Sequence, residues 1–124
     1  MKGLPPLSKP HSELAYARGN GEAMMSLYCN FPDEKTARRI SRTLVKENLL
    51  ACANLFPISS IYKWKGKLVE ETEWAMIGKC SAAKARRAEK RMLALHPYEI
   101  PAILWHEEKA TSKYARWVAG KKGD

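Results

Sequence analysis

Residues 50 to 64 read LACANLFPISSIYKW, residues 65 to 67 KGK, and residues 68 to 80 LVEETEWAMIGKC. Two runs rich in strand formers flank a glycine-containing tripeptide, the pattern of a long β-hairpin that turns at Lys65-Gly66-Lys67. Pro57 has no amide proton to give to a ladder, so it marks a bulge or an edge position midway along the first arm. The length of that arm decides the rest. Its 15 residues extend about 50 Å, whereas a compact chain of this size is only about 35 Å across. The hairpin therefore overhangs its own domain. Because an overhanging apolar strand invites pairing by another chain, the sequence predicts oligomerisation through this hairpin.

On the N-terminal side, residues 23 to 30 (AMMSLYCN) make a short apolar strand stopped by Phe31-Pro32. Asp33 then serves as a helix N-cap. Ala37, Ile40 and Leu44, with Ser41 and Val45 beside them, recur at helical spacing over 33 to 48 and leave Lys35, Arg38, Arg39, Arg42 and Lys46 outward. After the hairpin, Ser81 caps a second helix, 81 to 95, with Ala85, Ala88, Met92 and Leu95 inward and Lys84, Arg86, Arg87, Lys90 and Arg91 around the rest. Pro97 and Pro101 bar helix from residues 96 to 101. Residues 102 to 106 (AILWH) form a last strand, and 111 to 119 a last helical segment carrying Tyr114 and Trp117.

The resulting order is an α+β, ferredoxin-like βαββαβ arrangement with a C-terminal helix added. Both main helices fall on one sheet face. The other face, with Phe56, Ile58, Tyr62 and Trp64 or their alternates, is too apolar to stay wet and calls for a partner.

With 124 residues, 45% hydrophobic and 28% charged, the composition is that of one globular domain, placed at residues 23 to 119. Residues 1 to 22, rich in Pro and Gly, read as a poorly ordered extension, and 120 to 124 as a basic tail. No apolar run resembles a signal peptide or a membrane span. Cys29, Cys52 and Cys80 are odd in number and lack Cys-x-x-Cys spacing, so the expectation is a soluble cytoplasmic protein in a reducing compartment.

Lys and Arg number 22 against 13 Asp and Glu, a net charge of +9, which raises nucleic acid as a partner. The charge is spread, however, with +2 on the first helix, +4 on the second and −2 on the loop and last strand. An RNA-binding domain of this topology sets aromatics on its third strand, where residues 67 to 73 read KLVEETE. Carboxylates stand in place of a stacking platform. The basic helix faces accordingly read as solubility surfaces, and no specific nucleic acid is expected.

For catalysis, no Gly-x-Ser-x-Gly, His-Glu-x-x-His or phosphate-binding loop pattern is present. A Cys29–His96 pair is conceivable but lacks a visible third, orienting residue. Cys52 reads as a small core hydrophobe. Cys29, His96, Glu99, His11 and His106 are the candidate metal ligands, none at a diagnostic local spacing, and thiolate with imidazole suits copper or zinc. Against this, His96 can equally be a helix-ending residue whose cation suits the C-terminal dipole.

The stretches FPDE (31 to 34), LACAN (50 to 54), SIYKWKGK (60 to 67), AMIGK (75 to 79) and HPYEIP (96 to 101), with Tyr114 and Trp117 as a terminal Tyr-x-x-Trp, together resemble the CutA family of divalent-cation tolerance proteins. The resemblance implies a ferredoxin-like subunit in a tight homotrimer similar to the PII signalling proteins, cytoplasmic, involved in tolerance to copper and other divalent ions, and not an enzyme. It places the family's copper ligands on Cys29 and His96. Copper-binding members can carry a further cysteine and histidine where this chain has Arg91 and Leu95, so Cu(II) or another divalent cation is expected to bind weakly. The family's intersubunit cleft maps onto Tyr62, Trp64, Lys79, Tyr98 and Glu99, which would serve a small anionic ligand or the trimer contact alone. A structural trimer acting through another protein partner is the remaining class. Val69, Trp74, Gly78 and Cys80 depart from the family on the third strand and are expected to affect packing more than chemistry.

Overall fold

The computed structural model describes residues 23–120. The elements run β1 (Met24–Phe31), α1 (Glu34–Lys46), β2 (Cys52–Trp64), β3 (Lys67–Ser81), α2 (Ala82–Leu95), β4 (Ile103–Glu108) and α3 (Ser112–Val118). The four strands form one antiparallel sheet in the order β2-β3-β1-β4. This is the expected split βαβ topology, because β1 and β2 run parallel with β3 between them. The extension at 1 to 22, with His11, and residues 121 to 124 of the basic tail lie outside the described residues.

The hairpin turns at two residues rather than three. Lys65 (φ 52) and Gly66 (φ 81) both occupy left-handed backbone, and Trp64 pairs directly with Lys67. Such a turn matches the right-handed twist of the strands it joins. From there the register runs one to one to Cys52↔Lys79 without a bulge. Of the two roles open to Pro57, edge and bulge, the edge is the one found: β2 is the outer strand. Bonded pairs recur every second residue from Trp64↔Lys67, so Pro57, opposite Trp74, falls in a non-bonded pair and its missing amide proton would have faced outward.

β1 pairs with β3 only from Trp74 to Ser81. Residues 58–64 and 67–73 therefore leave the sheet as a two-stranded ribbon, seven residues on each arm, or about 24 Å. The overhang expected from strand length is real, and it carries Ile61 and Leu68 at 66% and 65% exposure.

α1 and α2 lie against one face of the sheet. Leu27, Cys29, Phe31, Met76 and Cys80 meet Ala37, Ile40 and Leu44 of α1 and Ala88 and Met92 of α2 in a single fully buried cluster. The α1 ends are both written locally. Asp33 accepts from the Thr36 amide at 2.8 Å, and Asn48 takes a left-handed φ of 60° while the Leu49 amide donates to Leu44 O at 2.9 Å. Ser81 does stand at the α2 N-cap, but its side chain makes no capping bond; the next amide, that of Ala82, donates instead to Ala23 O at 2.8 Å. Gly78 has a packing reason. A Cβ there would stand 2.8 Å from Leu50 Cδ1, so the glycine admits the buried Leu50 side chain to the core.

On the second sheet face, α3 approaches Cys52, with Tyr114 Oη 3.5 Å from its Sγ. Burial, and then this contact, push the Tyr114 phenol up to about 12. The rest of that face leaves Phe56 and Ile58 half-buried and Tyr62 and Trp64 exposed, as the sequence predicts.

Candidate functional site

β1 ends where the hairpin leaves the sheet, and the loop from His96 to Ala102 crosses that corner on its way to β4. Proline makes the loop: His96, the α2 C-cap, takes extended backbone (ψ 134) ahead of Pro97. Its ring then stacks on Phe31 at 5.0 Å and tilts against Tyr98 at 4.9 Å. Nδ1 accepts from the Tyr98 amide at 3.1 Å, which leaves Nε2 as the protonated nitrogen, donating to Asn30 O at 2.7 Å. Burial lowers the His96 pKa. The residue does end a helix, but as a neutral imidazole that pins the loop, not as a cation on the helix dipole.

With the loop pinned, Tyr98 reaches round to the second face of the sheet. Its hydroxyl donates to Glu73, and Ser60 Oγ donates to the other oxygen of the same carboxylate at 2.6 Å. Glu73 is only 5% exposed. Burial, then the hydrogen bond to Glu73, raise the Tyr98 phenol above its ordinary value. Further out, Tyr62 donates to Glu71 at 2.6 Å, and that bond pushes the Tyr62 phenol up to about 12.

These groups enclose a cavity of about 500 Å³. The ribbon supplies Ser60, Tyr62 and Trp64, the loop supplies Tyr98 and Glu99, and Asn30 and Glu73 are at the sheet corner. Four of the five expected cleft residues are thus brought together within one subunit. Lys79 is not among them: it stands six residues along β3 from Glu73, about 20 Å away, and donates to Asn54 Oδ1 at 3.1 Å.

Cys29 and His96 converge on one atom, the Asn30 carbonyl, which Cys29 Sγ meets at 3.6 Å. They do not fit a metal as they stand. Cys29 is fully buried, and desolvation pushes its thiol up to about 12, whereas a metal ligand must be a thiolate. Both His96 nitrogens are already engaged. Among the described residues no three His, Cys, Asp or Glu side chains gather to hold a metal ion. The departures from the copper-binding pattern have structural work instead: Arg91 forks onto Glu47 with two bonds of 2.9 Å, tying α2 to the end of α1, and Leu95 packs on the core.

Glu73, Asn30 and Ser60 are the site residues missed by sequence reasoning. A signal existed. Counting registers outward from a two-residue turn puts Ser60, Tyr62, Trp64 and Glu73 on one face.

The fold and site define a class: a ferredoxin-like subunit whose projecting hairpin roofs a ligand-sized cleft. Residues 25–121 match the family described as CutA1 divalent ion tolerance protein. A divalent-cation tolerance protein CutA of Thermotoga maritima is 40% identical over 96 residues, 77% of this chain and 95% of that protein. Among solved structures, the divalent ion tolerance protein CutA1 of Ehrlichia chaffeensis superimposes with a TM-score of 0.75 at 35% identity, over 78% of this chain and 92% of the other. The PII-like protein CutA of Nostoc, in its apo form, does so with a TM-score of 0.74 at 35% identity, over 77% and 94%. The chain belongs to the CutA1 divalent ion tolerance family. Among the described residues no helix is long and apolar enough to cross a membrane.

Proposed function

We propose that the chain acts in divalent-cation tolerance as a cytoplasmic homotrimer, by binding rather than turnover, with the cleft beneath the hairpin as the place where a ligand is held. The observation that carries this reading is the cavity of about 500 Å³ built around a buried, doubly hydrogen-bonded Glu73. A void of that size suits a small molecule rather than a bare ion. The ribbon supports the trimer, because its apolar side chains and unpaired edges are surface that another copy would cover. In a trimer a neighbour could bring its Lys79 toward the cleft, completing the five-residue set. Three free cysteines suit a reducing compartment.

Weak binding of Cu(II) or a similar ion at Cys29 and His96 is the second reading, favoured by their convergence on the Asn30 carbonyl. It would require the ring to release Asn30 or Tyr98 and the thiol to ionise. Calorimetric titration with Cu(II) decides it: identical isotherms for the wild type and the Cys29→Ser/His96→Ala variant remove that site. The trimer is checked by light scattering, where a mass near that of one chain at micromolar concentration overturns it.

A further inference from the structure

α1 and α2 turn their apolar faces to the sheet, which leaves their outer faces to solvent on the side away from the cleft and α3. On α1 that outer face is not mixed in sign. Lys35, Arg39, Arg42 and Lys46 recur at i, i+4, i+7 and i+11, so exposed cations stand on successive turns in a single row about 16 Å long. Exposed Arg86, Arg87 and Lys90 extend the positive surface on α2, which Arg91 ties to α1 through Glu47. None of these cations belongs to an ion pair among the described residues; the pairs are Arg38–Glu34, Arg91–Glu47 and His106–Glu108. The acids of the layer are engaged elsewhere, Glu34 with Arg38 at 2.8 Å, Glu47 with Arg91, and Glu89 with the Trp105 indole N–H at 2.7 Å. Asp33 offsets the start of the row, at Lys35 and Arg39, but its Oδ1 is given to the Thr36 amide.

A face that served solubility alone would intersperse the two signs. Lys35–Arg39, Arg42–Lys46 and Arg86–Lys90 are instead like-charge pairs at i, i+4, which destabilise a helix and which a polyanion would relieve. From this placement we infer that the α1–α2 layer is a docking surface for the phosphate backbone of double-stranded DNA, bound without regard to sequence. Its chemistry selects that occupant among polyanions. α1 exposes no large apolar side chain and α2 only Leu93, so neither has an apolar face to bury in a bilayer. Neither helix carries an aromatic residue, so there is no platform for unpaired bases. A helix about 10–12 Å across suits the major groove of B-form DNA, about 12 Å wide, whereas A-form RNA closes that groove to it. α1 has no Asn or Gln to single out adenine, and its long cations can meet phosphates on either wall. The layer lies on the opposite sheet face from α3, so an assembly built through the ribbon leaves it open, and the trimer proposed above would present it three times.

The test is fluorescence anisotropy of the full chain with labelled DNA duplexes of about 20 base pairs, two turns of B-form helix, in two unrelated sequences. The matching single strand and a duplex RNA are run beside them, and binding to phosphatidylserine vesicles is read by sedimentation. Arg39→Gln/Arg42→Gln removes two cations from the row, and Lys121→Gln/Lys122→Gln removes the same charge from the C-terminal tail. Circular dichroism and light scattering establish that each variant keeps the fold and mass of the wild type. Expected are equal affinities for the two DNA duplexes, weakened at least about tenfold by the row variant and less than about threefold by the tail variant. The dependence of log affinity on log salt should flatten by about 2 in the row variant, close to one for each cation removed. Equal losses in the two variants assign binding to net charge and overturn the surface. Tighter binding of the single strand, the RNA duplex or the vesicles overturns duplex DNA as the occupant, and no duplex binding at low salt overturns the proposal outright.

Discussion

β3 is one strand in two environments. From Trp74 to Ser81 it is hydrogen-bonded on both sides, and Ala75, Met76 and Cys80 are buried; from Lys67 to Thr72 it has β2 on one side only and buries no residue. The outer half is the more charged, KLVEET against WAMIGKCS, yet its Leu68 and Val69 are as apolar as Met76 and Ile77. What differs is what covers them. The inner half is stabilised by α1 and α2 within the same chain, while the outer half pairs with β2 alone and leaves Leu68 exposed. Under the trimer proposed above, folding information and assembly information occupy successive segments of a single strand.

If that division is right, a cavity in the body is costly and a change on the ribbon is not. Phe31→Ala, at a fully buried position, is expected to lower stability in urea by about 3–5 kcal/mol. Ile61→Asp/Leu68→Asp should leave the unfolding of a dissociated subunit within about 0.5 kcal/mol of the wild type and act instead on the mass measured by light scattering. A double variant that unfolds as readily as Phe31→Ala would erase the distinction.

Gly78→Ala sharpens it from the body side. The added methyl meets Leu50 at 2.8 and 3.1 Å, and overpacking of this kind costs about 1–3 kcal/mol; pairing it with Leu50→Ala should give less than the sum of the two losses. In the ribbon, Gly66→Ala meets nothing within 4 Å, so only its left-handed φ of 81° is penalised, by about 1 kcal/mol. Amide exchange should show that loss as faster opening of residues 58 to 73, with the α1 amides unchanged.

The smallest effect is electrostatic. Because Tyr62 donates to Glu71, its neutral form is favoured and its pKa is raised to about 12. A raised folded-state value means that this contribution is fully present below pH 10 and is lost as pH rises toward 12. In Glu71→Ala, absorbance titration should show one phenol moving back toward 10, the unshifted value; an unchanged curve would separate Tyr62 from Glu71.

Much of the body was legible because its signals are local. Asp33 caps at short range, Pro97 stops α2, and apolar spacing in α1 names the residues that are buried. The cleft was harder for a definite reason. Taking Lys65-Gly66-Lys67 as a three-residue turn shifts the pairing by one, which places Glu73 opposite Ser59 and on the wrong face. Only the two-residue turn brings it under Ser60. The fate of Cys29 and His96 was hidden in another way: both engage the carbonyl of Asn30, and a backbone oxygen leaves no trace in residue identity.

Pro57 carries a consequence for how an incoming chain would zip along β2. The outward backbone amides of this edge strand are those of Ala53, Leu55, Ser59, Ile61 and Lys63, and the proline is the one gap in the row. A strand adding to this edge thus finds a ladder with one rung missing, three donors on the tip side and two on the root side. Any pairing that crosses the gap is one donor poorer than its length would suggest, which handicaps long pairings by stray strands.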